Sequence, residues 1–198
     1  MRGYFGIGAE RISKAMNVGS LFRTGHAFGA SFAFTVDARY DRNEVAKADT
    51  SNAIGQLPFY RFPTLDEMML PDGCEIVGIE LTDDAVELPS FRHPPRAAYV
   101  LGPERGSLSA DMLHRCAHVV KIPTRFCINV GLAGAITLYD RTISLGGFQA
   151  RPVRPGGPFE APPQHVHGGP VLRREMEAYR ADPPADELQR LEDETTRR

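Results

Sequence analysis

The chain has 198 residues, a formal net charge of −2, 42% hydrophobic and 24% charged residues, a balance typical of a globular domain. It has no run of roughly 18 apolar residues that could span a bilayer, no basic segment leading into an apolar stretch as in a secretory signal, and too little positive charge to coat nucleic acid by charge alone. Its three cysteines, Cys74, Cys116 and Cys127, are odd in number and lack CxxC spacing. They fit free thiols in a reducing cytoplasm better than a disulfide framework or a zinc site.

GYFGI at 3–7 opens the chain as a strand. GIGAER at 6–11 follows with Gly6 and Gly8, but Arg11 occupies the third glycine position of a dinucleotide-binding loop, so a nicotinamide enzyme is a weak reading. Residues 18–28 then read as an amphipathic helix. Val18, Leu21, Phe22, Gly25 and Phe28 share one face, Asn17 stands where a cap belongs, and Gly29 can end the helix. Arg23 lies nearly opposite that apolar stripe. FAFTV at 32–36 is the next strand. Residues 41–60 are ambiguous, with a short helix from Arg42 to Ala48. The Thr64–Glu67 spacing of a capping box predicts a helix over 64–70.

Strands at 75–80, 97–101 and 118–122 then alternate with helices at 109–116 and 130–143. Most strands are continuously apolar, as expected when both faces of a parallel sheet are covered. The fold class is therefore α/β, a mostly parallel sheet with flanking helices, carried by residues 1–146. Proline and glycine dominate residues 147–198, and eight of the sixteen prolines lie between Pro152 and Pro184. This tail reads as an extended linker followed by charged helices broken at Pro183 and Pro184. Leu172, Met176 and Tyr179 could dock the first of them. His165 and His167 lack a nearby third ligand, so no metal is expected.

Two segments are suited to carry chemistry. In YVLGPERGSLSADMLHRC, residues 99–116, a buried strand gives way to Gly102, Pro103, Glu104, Arg105 and Gly106 before a helix begins near Ser109. Open α/β sheets bind ligands outside the carboxyl ends of their strands, where this loop lies. In KIPTRFCINVGLAGAITLYDRTI, residues 121–143, a strand ends at Ile122 and Asn129 can cap a helix. Gly131, Ala133, Gly134 and Ala135 keep that helix slim, which suits either a close ligand or a tight helix contact. Cys127 is a nucleophile in principle, though nothing marks a base beside it.

Together these segments resemble the SpoU/TrmH-type methyltransferases of the SPOUT superfamily. The first family motif is similar to Asn17-x-Gly19-x-x-x-Arg23 running on to Phe28-Gly29. The second resembles Leu101-Gly102-Pro103-Glu104-x-Gly106-x-Leu108, and the third resembles Asn129-Val130 with the helix closing at Leu138-Tyr139-Asp140. The resemblance implies a C-terminal trefoil knot, a homodimer, and S-adenosylmethionine bound among the knot loops. It also implies methyl transfer to a ribose 2′-hydroxyl of tRNA or ribosomal RNA. The implied cofactor residues are Leu81, Leu101, Gly102, Gly106, Ile122, Cys127, Asn129 and Leu132. Asn17, Glu104 and Asn129 would shape the reacting site, and Arg23 would meet the RNA. A guanidinium stays protonated up to a pKa above about 12, which favours a phosphate clamp over a general base for Arg23.

Two departures fall on the cofactor loops. Cys127-Ile128-Asn129 stands where Ser-Leu-Asn is common, and the 122–129 loop is about three residues shorter than the family pattern. They leave room for an alternative, an RNA-binding protein that keeps the fold without catalysis.

Overall fold

The computed structural model describes residues 3–41, 45, 53–148, 151–152 and 155–157. The chain divides into two units, Met1–Phe148 and Gln149–Arg198, and the architecture below is that of the first. The expected tail helices, His165 and His167, and the expected 42–48 helix apart from helical Val45 lie outside the described residues.

Among the described residues the strands are β1 (Tyr4–Glu10), β2 (Phe32–Val36), β3 (Phe59–Phe62), β4 (Glu75–Ile79), β5 (Val86–Glu87), β6 (Arg96–Leu101) and β7 (His118–Lys121). They form one sheet in the order β3-β2-β1-β6-β4-β7-β5, with every pair parallel. The helices are α1 (Ala15–Ala27), α2 (Ala53–Gln56), α3 (Ala110–Arg115) and α4 (Val130–Leu145), with a 3₁₀ turn at Leu88–Ser90.

The two-residue period of a strand sends alternate side chains to opposite faces. Ile7 and Tyr99 pack with Leu21, Phe22 and Leu138 beneath α1 and α4. Phe34, Ala98 and Val100 pack with Leu108 and Met112 beneath α3. Both faces are covered, which is why the strands read as continuous apolar runs.

Four sequence expectations need correction. The first strand runs to Glu10, so Gly6 and Gly8 of GIGAER lie inside it rather than in a ligand loop. Their missing side chains make room for aromatic rings: a Cβ would stand 2.3 Å from the Phe32 ring at Gly6 and 2.6 Å from the Phe34 ring at Gly8. The helix expected at 18–28 begins at Ala15, so Asn17 sits in its first turn and does not cap it. Residues 64–70 form turns, not a helix. Thr64 does donate to Glu67 Oε1 (2.9 Å), but Pro63 and Pro71 confine the segment, and the residue before a proline avoids helical backbone. Finally, β3 and the two-residue β5 were not anticipated. The end of α1 is as expected: Gly29 has φ +74°, Ala30 N donates to Gly25 O and Gly29 N to His26 O, a Schellman closure.

α4 packs tightly on α1. A Cβ at Gly131 would meet Ser20 Oγ at 2.4 Å, and one at Gly134 would meet Leu21 Cδ1 at 2.8 Å. A helix contact therefore accounts for the slim stretch. Farther along, Arg141 is only 2% exposed. It donates from Nη1 to Pro94 O (2.6 Å) and Tyr99 Oη (3.1 Å) and from Nη2 to Pro95 O (2.9 Å). Its guanidinium carbon stands 4.8 Å from the Phe5 ring centroid.

Since Tyr99 accepts from Arg141, its own hydrogen goes to His93 Nδ1 (2.6 Å), leaving Nε2–H to donate to Asp140 Oδ2 (3.0 Å). Desolvation pushes the Tyr99 phenol up to about 12 against the pull of Arg141. Desolvation also pushes the His93 imidazole below its ordinary value, with Arg141 acting the same way and Asp140 opposing. The unfolded chain thus takes up a proton near pH ~6.5 that the folded chain refuses. Stability is complete above that pH and falls as the pH drops. His93→Gln should flatten the decline of melting temperature between about pH 6.5 and 5; an unchanged slope would assign the decline to other groups.

Candidate active site

The loops leaving β4, β6 and β7 meet the first turns of α1 and α4 around a cavity of about 380 Å³, large enough for a small-molecule ligand. It lies at the carboxyl ends of the strands, the region where α/β sheets bind ligands. Of the residues singled out in the sequence, Asn17, Leu81, Leu101, Gly102, Glu104, Gly106, Ile122, Cys127 and Asn129 line it. Leu132 is 60% exposed and does not line it; Asn129 caps α4 one residue before Val130, and Leu132 falls on the helix's outer face. Arg23 is exposed on α1 and is likewise outside the lining.

Glu104 is the hub of the cavity wall. Its Oε1 accepts from Lys14 N (2.9 Å) and Asn17 Nδ2 (3.0 Å), and its Oε2 accepts from Ser13 N (3.2 Å) and Ser13 Oγ (3.1 Å). Lys14 gives α1 no side-chain cap, so a carboxylate from another loop anchors the start of this helix, where negative charge is favoured. Asn17 Oδ1 in turn accepts from Asn129 Nδ2 (3.0 Å). Asn129 Oδ1 accepts from Gly131 N (2.8 Å) and Leu132 N (3.4 Å), capping α4. A carboxylate only accepts, which fixes the orientation of both amides. One chain of hydrogen bonds thus joins the β6 loop to the first turns of both helices. Desolvation tends to raise the Glu104 pKa, but the bonds from Asn17, its own backbone, Lys14 and Ser13 outweigh it and hold the carboxyl below its usual value.

Sequence reasoning missed the residues that hold the 102–109 loop. Glu80 Oε2 accepts from Leu108 N (2.7 Å), and Arg11 Nη2 donates to Ser107 O (2.6 Å). Buried Glu10 accepts from Ser109 N (2.7 Å) and Ser109 Oγ (2.5 Å), while Ser109 caps α3 by accepting from Met112 N (3.1 Å). The signal available was acidic or basic residues ending otherwise apolar strands, at Glu10, Arg11 and Glu80. Gly106 has φ +114°, a conformation that strains any residue with a Cβ. Lys14 adds a cation to the lining. Among the described residues no group of three His, Cys, Asp or Glu side chains could hold a metal ion, and no helix is long and apolar enough to cross a membrane.

The sequence pattern of the SpoU rRNA Methylase family matches residues 5–139. A curated relative, the tRNA (guanosine(18)-2'-O)-methyltransferase TARBP1 of Mus musculus, is 26% identical over 143 residues; the match covers 68% of this chain and 9% of that protein. Among solved structures, the SpoU methyltransferase AviRb from Streptomyces viridochromogenes in complex with AdoMet superposes with TM-score 0.67 at 20% identity, covering 75% of this chain and 60% of that one. An AdoMet-bound rRNA methyltransferase from Sinorhizobium meliloti gives TM-score 0.65 at 19% identity, covering 73% and 58%. These likenesses establish the fold.

Proposed function

The chain belongs to the SpoU rRNA Methylase family, and from that premise we propose that it transfers a methyl group from S-adenosylmethionine to a ribose 2′-hydroxyl of tRNA or ribosomal RNA. The observation that carries this reading is the cavity wall in which Glu104, Asn17 and Asn129, from three separate segments, form one hydrogen-bonded chain. We assign the activity to residues 1–146, with 147–198 as a tail, and place the enzyme in the cytoplasm.

The residues present fit the cofactor. Ile79, Leu101, Ile122 and Ile128 offer apolar surface for a flat ring, and Gly102 and Gly106, which also line the cavity, carry no side chain to mask their backbone groups. When bound, the cofactor supplies a methyl group on a cationic sulfur, an electrophile for a hydroxyl. The protein's part is to hold the ribose in line and exclude water, which can supply much of the rate. Cys127 lines the same cavity, so the thiol at this family position would face the ligand.

The same proposal includes a homodimer. Leu132, Ile136, Tyr139 and Ile143 are exposed at helical spacing along α4, a stripe suited to a second copy. Arg23, exposed on the neighbouring helix, would then grip an RNA phosphate at the dimer seam. The trefoil knot is supported by β6 entering between β1 and β4 and by α4 returning from β7 to pack on α1.

Calorimetric titration with S-adenosylhomocysteine, followed by bulk tRNA and rRNA with labelled methyl donor, tests the reading. Micromolar binding and methylated RNA support it; binding without methylation of any RNA favours the non-catalytic alternative. Arg23→Lys should lower kcat/KM at least about tenfold while leaving S-adenosylhomocysteine affinity unchanged, because a point charge cannot reproduce a bidentate fork. Full activity in that variant would remove Arg23 from the reaction.

A further inference from the structure

The loop between β7 and α4 carries a bare aromatic ring on the stretch of chain between two residues of the cavity lining. Phe126 is 76% exposed, the most exposed aromatic side chain among the described residues. It stands between Thr124 and Cys127, both of which line the cavity, and beside exposed Arg125. The loop is built to hold it there. Lys121 Nζ donates to Thr82 O (3.3 Å) and Asp83 O (3.2 Å) at its start. Thr124 N donates to Ile122 O (2.7 Å), and Thr124 Oγ1 donates to the Phe126 carbonyl (2.9 Å). Pro123 restricts the backbone further, and the Asn129 cap closes the far end.

A phenyl ring left in water forgoes the stabilisation that burial brings, and a partner that covers it would gain that free energy on binding. We propose that Phe126 is a stacking platform for an unpaired RNA base next to the methylated nucleotide, with Arg125 meeting the adjoining phosphate. The inference rests on the methyltransferase reading and adds to it the form in which substrate is taken, an unstacked single strand. A ribose can bring its 2′-hydroxyl into a recessed cavity only when its nucleotide leaves the base stack, and the exposed base then needs a new surface. An aromatic ring offers that surface to any base. The guanidinium beside it suits a polyanion better than the apolar seam of a dimer, for which the α4 stripe is available.

Phe126→Trp tests this directly, because the chain contains no tryptophan and the new indole reports from one position. Its emission should be quenched saturably by twelve-nucleotide oligo(U) or oligo(A) or by heat-denatured bulk rRNA, and not by inorganic polyphosphate, which carries charge without bases. In parallel, Phe126→Ala should raise KM for bulk RNA about tenfold with kcat held within threefold, and Phe126→Tyr should restore it. S-adenosylhomocysteine binding and dimer size should match the parent in all three. The proposal is overturned if no RNA quenches the indole, if polyphosphate quenches it equally, if Phe126→Ala dissociates the dimer, or if the variant loses S-adenosylhomocysteine. A parent protein that binds S-adenosylhomocysteine and methylates no RNA defeats the enzymatic reading instead, and leaves the quenching result to stand or fall alone.

Discussion

Glu104→Ala is expected to lower the melting temperature by about 5–10 °C and to weaken S-adenosylhomocysteine binding at least tenfold. Four donors converge on this carboxylate, and hydrogen bonds to a charged group contribute roughly 1.5–3 kcal/mol each when both partners are shielded. The site is half-open, so water recovers much of that at Ser13 and Lys14, leaving a net loss of about 2–3 kcal/mol. For a chain of this size that corresponds to the stated shift at roughly 2–4 °C per kcal/mol.

Binding suffers because the first turns of α1 and α4 lose their common tether at the cavity wall. Glu104→Gln separates shape from charge: its amide oxygen can accept from one side, while its NH₂ confronts donors on the other, so an intermediate loss is expected. Acid should act as the alanine does, since a carboxyl held below its usual value supports the fold only while ionised and loses its contribution as pH falls through that lowered value. Measured by thermal scanning and calorimetry, an alanine variant with parental stability and affinity would show that the hydrogen-bonded chain does not hold the cavity together.

The second large effect is expected at the opposite end of α4. Arg141→Leu should destabilise the protein by about 3–5 kcal/mol, the range for removing one partner from a buried charged network. Pro94 O, Pro95 O and Tyr99 Oη would be left facing an apolar side chain, and Tyr99 would lose the donor that orients its hydroxyl towards His93. Among the described residues no carboxylate pairs with Arg141; two carbonyls, a phenol and two ring faces take that place. Lysine replaces the planar, ring-stacked fork with a compact ammonium, so Arg141→Lys should recover only part of the loss. Urea unfolding measures it. A leucine variant as stable as the parent would mean that the guanidinium's desolvation cancels its bonds, an outcome known for some buried ion networks.

What could be read from the sequence followed burial. Strands covered on both faces announce themselves as apolar runs, as FAFTV and AAYVL do. FYRF of β3 and the two residues of β5 lie at the sheet's edges, where short length and mixed polarity erase that signal. Asn17 was assigned to a cap because its side chain prefers caps, but the partner that recruited it, Glu104, is 87 residues away. Thr64 and Glu67 do meet, yet a local pair cannot build a helix between two prolines. The cavity residues were legible through their motifs. Glu10, Arg11 and Glu80 were not, because each acts on the backbone of a distant loop and no spacing rule encodes such a contact.

The place of β6 in the sheet has a consequence for how the chain matures. β1 and β4 are both complete by residue 79, yet neither touches the other, because β6 lies between them. A nascent chain ending before residue 96 therefore holds the paired strands β1 to β3 with the edge of β1 still open, and β4 and β5 with no strand yet to pair with. The half containing β1 to β3 can associate early, while β4 must wait for the central strand β6 made after it, and β5 for β7, made later still. Such non-local closure is slow and leaves unpaired edges exposed to other chains meanwhile. Synthesis paused just short of residue 96 should be the stage at which this protein most needs a chaperone.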